Sequence, residues 1–452
     1  MNKKKLNKIL VFTFALILSL YYIEFEPSWN TASRAALPLS LALESKLDIS
    51  TYADFTGDKA SINGVPYSDK APLSGFILTP IIKTIDYFYD IDHYDAKTKL
   101  MIAIFLGAFL FGAIPMALIV LFTYNNGIEE KKHGTTILFF TYFSSFIFIT
   151  AGGYWSHIFT AFLLILSIYF IKKNHFFYAG LAMGAAFMNE YNIAVIGFVW
   201  GLWFIYKQNW KQVLYFSLGV IPFIILLAWY NNILTGNPFE LAYRYQENFQ
   251  QNADNYGFTY PTLKIFYHLT ISQYRGLIFY APILAILIWY LVKKRKDKII
   301  NNSLSQMIII SSIIYLLVFT CNRSWYGGWT YGPRYLVIIP VLLFYQFLNI
   351  IELKTLTSKI TFFILGIFGL VQAFLDKATI LYPRTDMDFP LIDGIIPAII
   401  KGKYMNWHIP ALFGFKGVWT NILYFLLFAA IIYILHILNN HKEIEKDIFK
   451  KS

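Results

Sequence analysis

The sequence predicts an all-α polytopic membrane protein with about twelve transmembrane helices (ten to thirteen), and three observations predict it. Of 452 residues, 57% are hydrophobic and only 14% are charged. Soluble domains run near a quarter charged, so a water-soluble multidomain enzyme is excluded. Aromatic residues reach 19%, with 43 Phe, 33 Tyr and 11 Trp, as expected where side chains meet lipid and its interfaces. The apolar residues also fall in runs of the ~17–20 residues needed to cross a ~30 Å hydrocarbon core. No polar stretch is long enough for a separate domain, so 1–452 reads as a single integral membrane domain. The single cysteine, Cys321, rules out a disulfide framework and a cysteine-rich metal site.

In chain order the candidate spans are 7–23, 100–124, 134–152, 156–172, 175–190, 192–207, 212–231, 276–292, 306–321, 335–352, 360–376 and 419–438. The first follows Lys3, Lys4, Lys5 and Lys8, as a secretory signal would. The bulky, acidic run Tyr21-Tyr22-Ile23-Glu24-Phe25-Glu26 offers no small-x-small cleavage pattern, so it reads as a retained helix. The short pair 175–190 and 192–207 reads either as two spans or as one helical hairpin dipping partly into the membrane. Gly180 and Gly184 form a GxxxG, a sign of close helix packing.

Basic residues set the orientation. With the N-terminus inside, the inner segments hold Lys131, Lys132, Lys172, Lys173, Lys207, Lys211, the cluster from Lys293 to Lys298, Lys354 and Lys359. The tail adds Lys442, Lys446, Lys450 and Lys451. This is the positive-inside pattern of a multi-pass protein of the cytoplasmic (inner) membrane with both termini cytoplasmic. Net charge is +12, but the basic clusters are short and border helices, which favours anionic lipid over nucleic acid. No P-loop occurs, so a nucleotide-driven pump is not expected.

The outer face then holds three large loops, 24–99, 232–275 and 377–418, with a turn at 322–334. The first begins at Glu24 and Glu26. Trp29-Asn30-Thr31-Ala32-Ser33-Arg34 opens an amphipathic stretch to about Glu44, whose Ala35, Leu37, Leu39, Leu41 and Leu43 are expected to lie flat on the bilayer. Asp58-Lys59 and Asp69-Lys70 follow as two acid–base pairs beside Gly and Pro turns. One such pair is ordinarily a solvated turn; two at the membrane interface point to a site. Glu190 ends an otherwise uncharged segment, where an acid is costly unless it faces a polar cavity or snorkels. Tyr274-Arg275-Gly276 and the turn from Trp325 to Arg334 supply guanidinium forks suited to phosphate or to lipid headgroups. The glycines of that turn let backbone approach a ligand. Tyr154 and Trp155 suit an interfacial belt, and His157 is a weak metal signal because no second histidine lies at ligand spacing.

An enzyme outside the membrane lacks nucleotide-activated donors, so a sugar carried on polyprenyl phosphate is the donor that suits it. Its acceptor hydroxyl needs a carboxylate base, and the leaving phosphate needs Arg or Lys. Here the motifs matter as a set: Trp29-Asn30 with Ser33-Arg34, Thr56 to Ala60, Tyr67 to Pro72, Glu190-Tyr191, Asn237-Pro238-Phe239 with Tyr243, Tyr274 to Leu277, and Gly327-Gly328 through Gly332-Pro333-Arg334. With them the chain resembles the GT-C superfamily of integral membrane glycosyltransferases, of the bacterial, protein-mannosyltransferase-like (family 39) sort. The resemblance implies a multi-helix fold, a catalytic first loop and a polyprenyl-phosphate sugar donor, with a glycan, lipid or protein as acceptor. Many relatives carry an acidic pair shortly after the first helix, where this chain has Asn30-Thr31. The expected base is therefore Asp58, then Asp69, with Glu26 (or Glu24) as the remaining choice. Arg34, Lys59, Lys70, Glu190, Arg275, Arg334, Tyr274 and Trp325 are the expected substrate-binding residues. No cofactor is required by the sequence, and a divalent metal, Mg or Mn, is compatible with the acids. The competing readings are a lipid-linked-sugar flippase and a non-catalytic lipid-binding protein. The spans hold almost no mid-helix charge and show no internal repeat, which counts against a transporter.

Overall fold

The computed structural model describes residues 3–380, 382–405 and 407–451, with side chains described up to Ile437. The tail lysines Lys442, Lys446, Lys450 and Lys451 have side chains outside that set. In a hydrocarbon environment every backbone N–H and C=O must be satisfied within the segment, and helices achieve this. The long apolar runs accordingly form α1 (Lys3–Tyr21), α4 (Ala96–Gly107), α5 (Ile114–Thr123), α6 (Gly134–Phe143), α7 (Phe146–Ala151), α8 (Ser156–Lys172), α9 (Phe176–Asn189), α10 (Ala194–Tyr206), α11 (Trp210–Thr235), α13 (Leu277–Tyr280), α14 (Ile283–Lys293), α15 (Ser303–Phe319), α16 (Ile338–Phe347), α17 (Leu356–Thr379) and α20 (Val418–Lys451). Short helices lie in the loops: α2 (Trp29–Leu39), α3 (Leu73–Tyr89), α12 (Leu263–Thr270), α18 (Ile396–Ile400) and α19 (Ile409–Leu412).

Among the described residues four helices are long and apolar enough to cross a bilayer: Ala96–Ile128, Trp210–Thr235, Leu356–Thr379 and Val418–Ile437. The first joins α4 and α5 through a π-helical turn at Ala108–Ala113. The helix α1 takes the first expected span, and shorter apolar helices fill the others. Two of those spans are broken. Ser145 turns extended between α6 and α7, and Pro282, which has no N–H to donate, separates α13 from α14.

The core is aromatic and aliphatic, with Phe139, Tyr142, Phe143 and Phe344 buried among the central helices. α1 packs on α5, and α8 is flanked by α5, α9 and α16. The tightest crossing is α9 on α11: a Cβ added to Gly180 would meet the Phe216 carbonyl oxygen at 2.0 Å, and one on Gly219 would meet the Phe177 carbonyl at 2.2 Å. The close packing expected from Gly180 and Gly184 is therefore present. Gly180→Leu is expected to force these helices apart and cost several kcal/mol, read as loss of the monodisperse peak in detergent.

The first loop is a folded layer rather than a surface coil. Asn63 and Gly64 sit at φ of 54° and 80°, the left-handed pair of a tight hairpin turn. They join β1 (Lys59–Ile62) to β2 (Val65–Ser68). α2 does not offer its apolar side to open bilayer. Ala32, Ala35, Ala36 and Leu39 are buried with Leu78 and Ile82 of α3 and Leu100, Ala103 and Ile104 of α4. Those partners come from segments that sequence periodicity does not bring to α2.

The two ends of the bundle differ in charge. Lys294 and Lys354 meet Glu352 at 2.8 and 2.9 Å, and Lys172 reaches Asn126 at 3.0 Å. These sit at the end where α8 finishes and α9 begins. The first loop, Glu190 and the start of α8 lie at the opposite end.

Candidate active site

The hairpin places the two first-loop acids side by side. Lys59 pairs with Ser68 at the open end of the ladder, so Asp58 and Asp69, one residue beyond each, flank the same point. Lys70 bridges them, its Nζ 2.7 Å from Asp58 Oδ2 and 3.0 Å from Asp69 Oδ1. Asp69 also accepts from Gln246, which a β-bridge to Ala60 holds in place. Ser33 of α2 donates to Asp69 at 3.4 Å and bonds Ser68 at 2.9 Å. Burial works to raise the Asp58 carboxyl. The Lys70 charge and hydrogen bond, helped by Arg334 and Arg34, outweigh it and hold the group below the usual range. Burial likewise works to lower the Lys70 ammonium, and the charges of Asp58 and Asp69 leave it raised.

Two buried arginines face the same space. Arg34 Nε donates to Asn30 Oδ1 at 3.1 Å and Nη2 to Ser156 Oγ at 3.2 Å, but Nη1 has no partner. Asn30 serves as an acceptor for this guanidinium. Arg334 lies over the rings of Trp155 and Tyr335, 4.7 and 5.3 Å from their centroids, and its Nε is buried and unpartnered. Gly327 makes room for Arg334 itself, since a Cβ there would come 3.1 Å from Arg334 Cγ. Across from these, His157 Nδ1 lies 3.1 Å from both oxygens of Glu190.

These groups line a cavity of about 920 Å³. Arg34, Asp58, Asp69, Lys70, Glu190 and Arg334 all face it, with an apolar wall that includes Val195, Val318 and Phe319. Five expected residues are not on its wall. Glu26 pairs with Lys97 at 3.3 Å, and Lys59 turns to Glu247 at 3.6 Å. Arg275 is fully buried and donates to the carbonyls of Tyr326, Tyr274 and Gly328 at 3.0, 2.9 and 3.3 Å. It clamps the glycine turn that precedes Arg334. Tyr274 donates to the Thr385 carbonyl at 2.9 Å, and Trp325 stacks on His268 with ring centroids 5.4 Å apart.

The donor set does not suit a divalent metal. Asp58 and Asp69 are taken by Lys70, and Glu190 by His157. Among the described residues no group of three or more His, Cys, Asp or Glu is placed to hold one.

Sequence reasoning missed several participants. His157 stands 33 residues before Glu190 and Gln246 lies 177 beyond Asp69, separations that local patterns do not bridge. The Asn-Gly turn was the available signal for the hairpin. Behind Trp155 and Tyr382 a second polar layer is buried: Glu24 accepts from Tyr382 Oη and from Trp155 Nε1 at 3.1 Å. Burial raises the Glu24 carboxyl to about 7.

The class of protein follows from the apolar helices and from the fold they share with a solved structure: a multi-pass helical membrane protein with the GT-C fold. The crystal structure of ArnT from Cupriavidus metallidurans bound to undecaprenyl phosphate shares this fold, with a TM-score of 0.52 at 12% identity over 96% of this chain and 74% of that one. The apo form of ArnT gives 0.49 at 13% identity with the same coverage. No family model and no curated protein matches the sequence. The likeness reaches the fold alone.

Proposed function

We propose that this chain is a glycosyltransferase that moves a sugar from a polyprenyl-phosphate carrier to an acceptor outside the cytoplasm. The observation that carries the reading is two arginines, Arg34 and Arg334, lining one cavity with an apolar wall, each with a buried guanidinium N–H left without a partner, Nη1 and Nε respectively. A buried donor left unpaired costs about 1–3 kcal/mol, and a phosphate monoanion or dianion between two such forks removes that cost. The apolar wall suits the first isoprene units. The ArnT complex holds a ligand of this chemistry, which supports the same use of the shared fold. The lysine distribution supports a cavity on the non-cytoplasmic side of the membrane.

In this reading the acceptor hydroxyl attacks the anomeric carbon while the carrier phosphate leaves. Arg34, Arg334 and Lys70 take the charge that develops on the phosphate, in a site where such donors act at full strength. Asp58 and Asp69 fix the Lys70 ammonium, and Trp155 and Tyr335 hold Arg334 flat. The test is release of polyprenyl phosphate from vesicles loaded with polyprenyl-phosphate hexoses and pentoses and supplied with glycan, lipid and protein acceptors. Release by the wild-type protein from at least one of them is expected, and none from any would refute the reading.

A further inference from the structure

The proton of the acceptor hydroxyl must go to a group that is free to receive it, and this selects among the acids of the cavity. Asp58 and Asp69 share the Lys70 ammonium, and Asp69 also takes the Gln246 amide. A carboxylate pinned by an ammonium in this way is a weak base. Glu26 is off the cavity wall, paired with Lys97, and Glu24 lies behind Trp155 and Tyr382. The remaining acid, Glu190, meets a histidine instead of a lysine or arginine.

The local frame holds this pair with care for its geometry. His157 opens α8, and Glu190 follows the last residue of α9. Asn189 ties the two helix ends, donating to the Ser156 carbonyl at 3.1 Å and to Thr160 Oγ1 at 2.9 Å. With both Glu190 oxygens 3.1 Å from Nδ1, the carboxylate sets the tautomer that carries its proton there. Nε2 is then the basic nitrogen, and it makes no hydrogen bond to a described residue. Ser156, the preceding residue, touches Arg34 Nη2 at 3.2 Å, so the imidazole stands beside the phosphate forks. Facing it from other elements are Trp155 and Tyr335, with Arg334 over both rings. Tyr315 and Arg34 are further ionisable groups near Glu190.

Resting on the transferase reading, we infer that His157 is the general base of the transfer and Glu190 its positioning residue. The acceptor O–H gives its proton to His157 Nε2 as its oxygen forms the bond to the anomeric carbon. The bond from that carbon to the phosphate oxygen breaks with both electrons on the oxygen, and Arg34 and Arg334 hold the phosphate released. Glu190 stabilises the imidazolium, as a carboxylate does in a catalytic triad. No metal or redox partner enters the balance.

The experiment measures polyprenyl phosphate release from the same donor panel, in vesicles, across pH. Wild type is expected to lose rate toward acid, because a protonated imidazole cannot accept the proton of the acceptor hydroxyl. His157→Ala should lower release by about a hundredfold or more, with binding of undecaprenyl phosphate unchanged. Added imidazole should restore it at least in part, and the acid limb should be gone from the residual rate. Glu190→Gln should lower the rate while leaving the protein folded, because the amide still bonds the ring. If His157→Ala keeps full rate, retains the acid limb or gains nothing from imidazole, the pair is structural and the inference falls, with the transferase reading intact. Failure of the wild-type protein on every donor sinks that reading instead.

Discussion

Replacing Arg34 and Arg334 together by Gln is expected to weaken binding of undecaprenyl phosphate by about a thousandfold, with each single change costing roughly ten- to a hundredfold. Hydrogen bonds from a charged donor contribute about 1.5–3 kcal/mol each, and a tenfold change in affinity is 1.4 kcal/mol. The fold should tolerate the changes, because each guanidinium already has a buried N–H without a partner. What Arg334 loses is its place over Trp155 and Tyr335, about 0.5–2 kcal/mol. Binding to the wild type should also respond weakly to salt, since buried charges are screened little. An affinity that collapses between low and physiological salt would mean that exposed lysines, not these arginines, hold the headgroup.

Lys70→Met is expected to be the most destabilising single change in the first loop, at about 3–5 kcal/mol, because it leaves two buried carboxylates without their cation. Converting Asp58 and Asp69 to Asn in the same protein should recover most of that loss while transfer remains absent. Stability and chemistry then separate: the triad can be neutralised as a structural unit, but its ammonium cannot be replaced at the phosphate. The pH dependence has a definite sign. Asp58 titrates lower in the folded protein than in the unfolded chain, so its contribution is present above the ordinary carboxylate range near pH 4 and is lost as pH falls. Lys70 titrates higher when folded. Its contribution is present below the usual lysine range near pH 10.4 and is lost as pH rises beyond the folded value. Thermal unfolding should show both limbs in wild type and neither in the triple variant; limbs of equal size in both proteins would show that other groups govern them.

The spans were legible because lipid leaves the backbone a single solution, and long apolar runs announce it. Breaks at Ser145 and Pro282 were less visible, since a hydropathy run continues across both. The site was legible in part. Asp58, Asp69 and Lys70 converge because an Asn-Gly turn folds two neighbouring segments onto each other, a local event. Arg34 and Arg334 were singled out by residue type and by their place at helix ends. Arg275 looks the same in sequence, yet it serves three backbone carbonyls. Nothing local tells an arginine that will bind a ligand from one that will bind the chain. The same limit hid the role of His157, whose partner arrives from the far end of the next helix. Asp376 and Lys377 show the same limit at another helix end. They close the span of α17 and are buried, with Lys377 donating to the Tyr22 carbonyl at 3.2 Å, a burial that their place at a helix end does not announce.

The central claim is that a polyprenyl-phosphate headgroup sits between Arg34 and Arg334 with its first isoprene units along the apolar wall. Photocrosslinking tests it directly, using undecaprenyl phosphate with a diazirine on the isoprene nearest the phosphate, followed by peptide mapping. Adducts are expected on Val195, Val318 or Phe319, and they should fade when unlabelled undecaprenyl phosphate competes or when both arginines are Gln. Adducts at the lysine-rich end of the bundle, near Lys294 and Lys354, or labelling that survives the double substitution, would contradict the account.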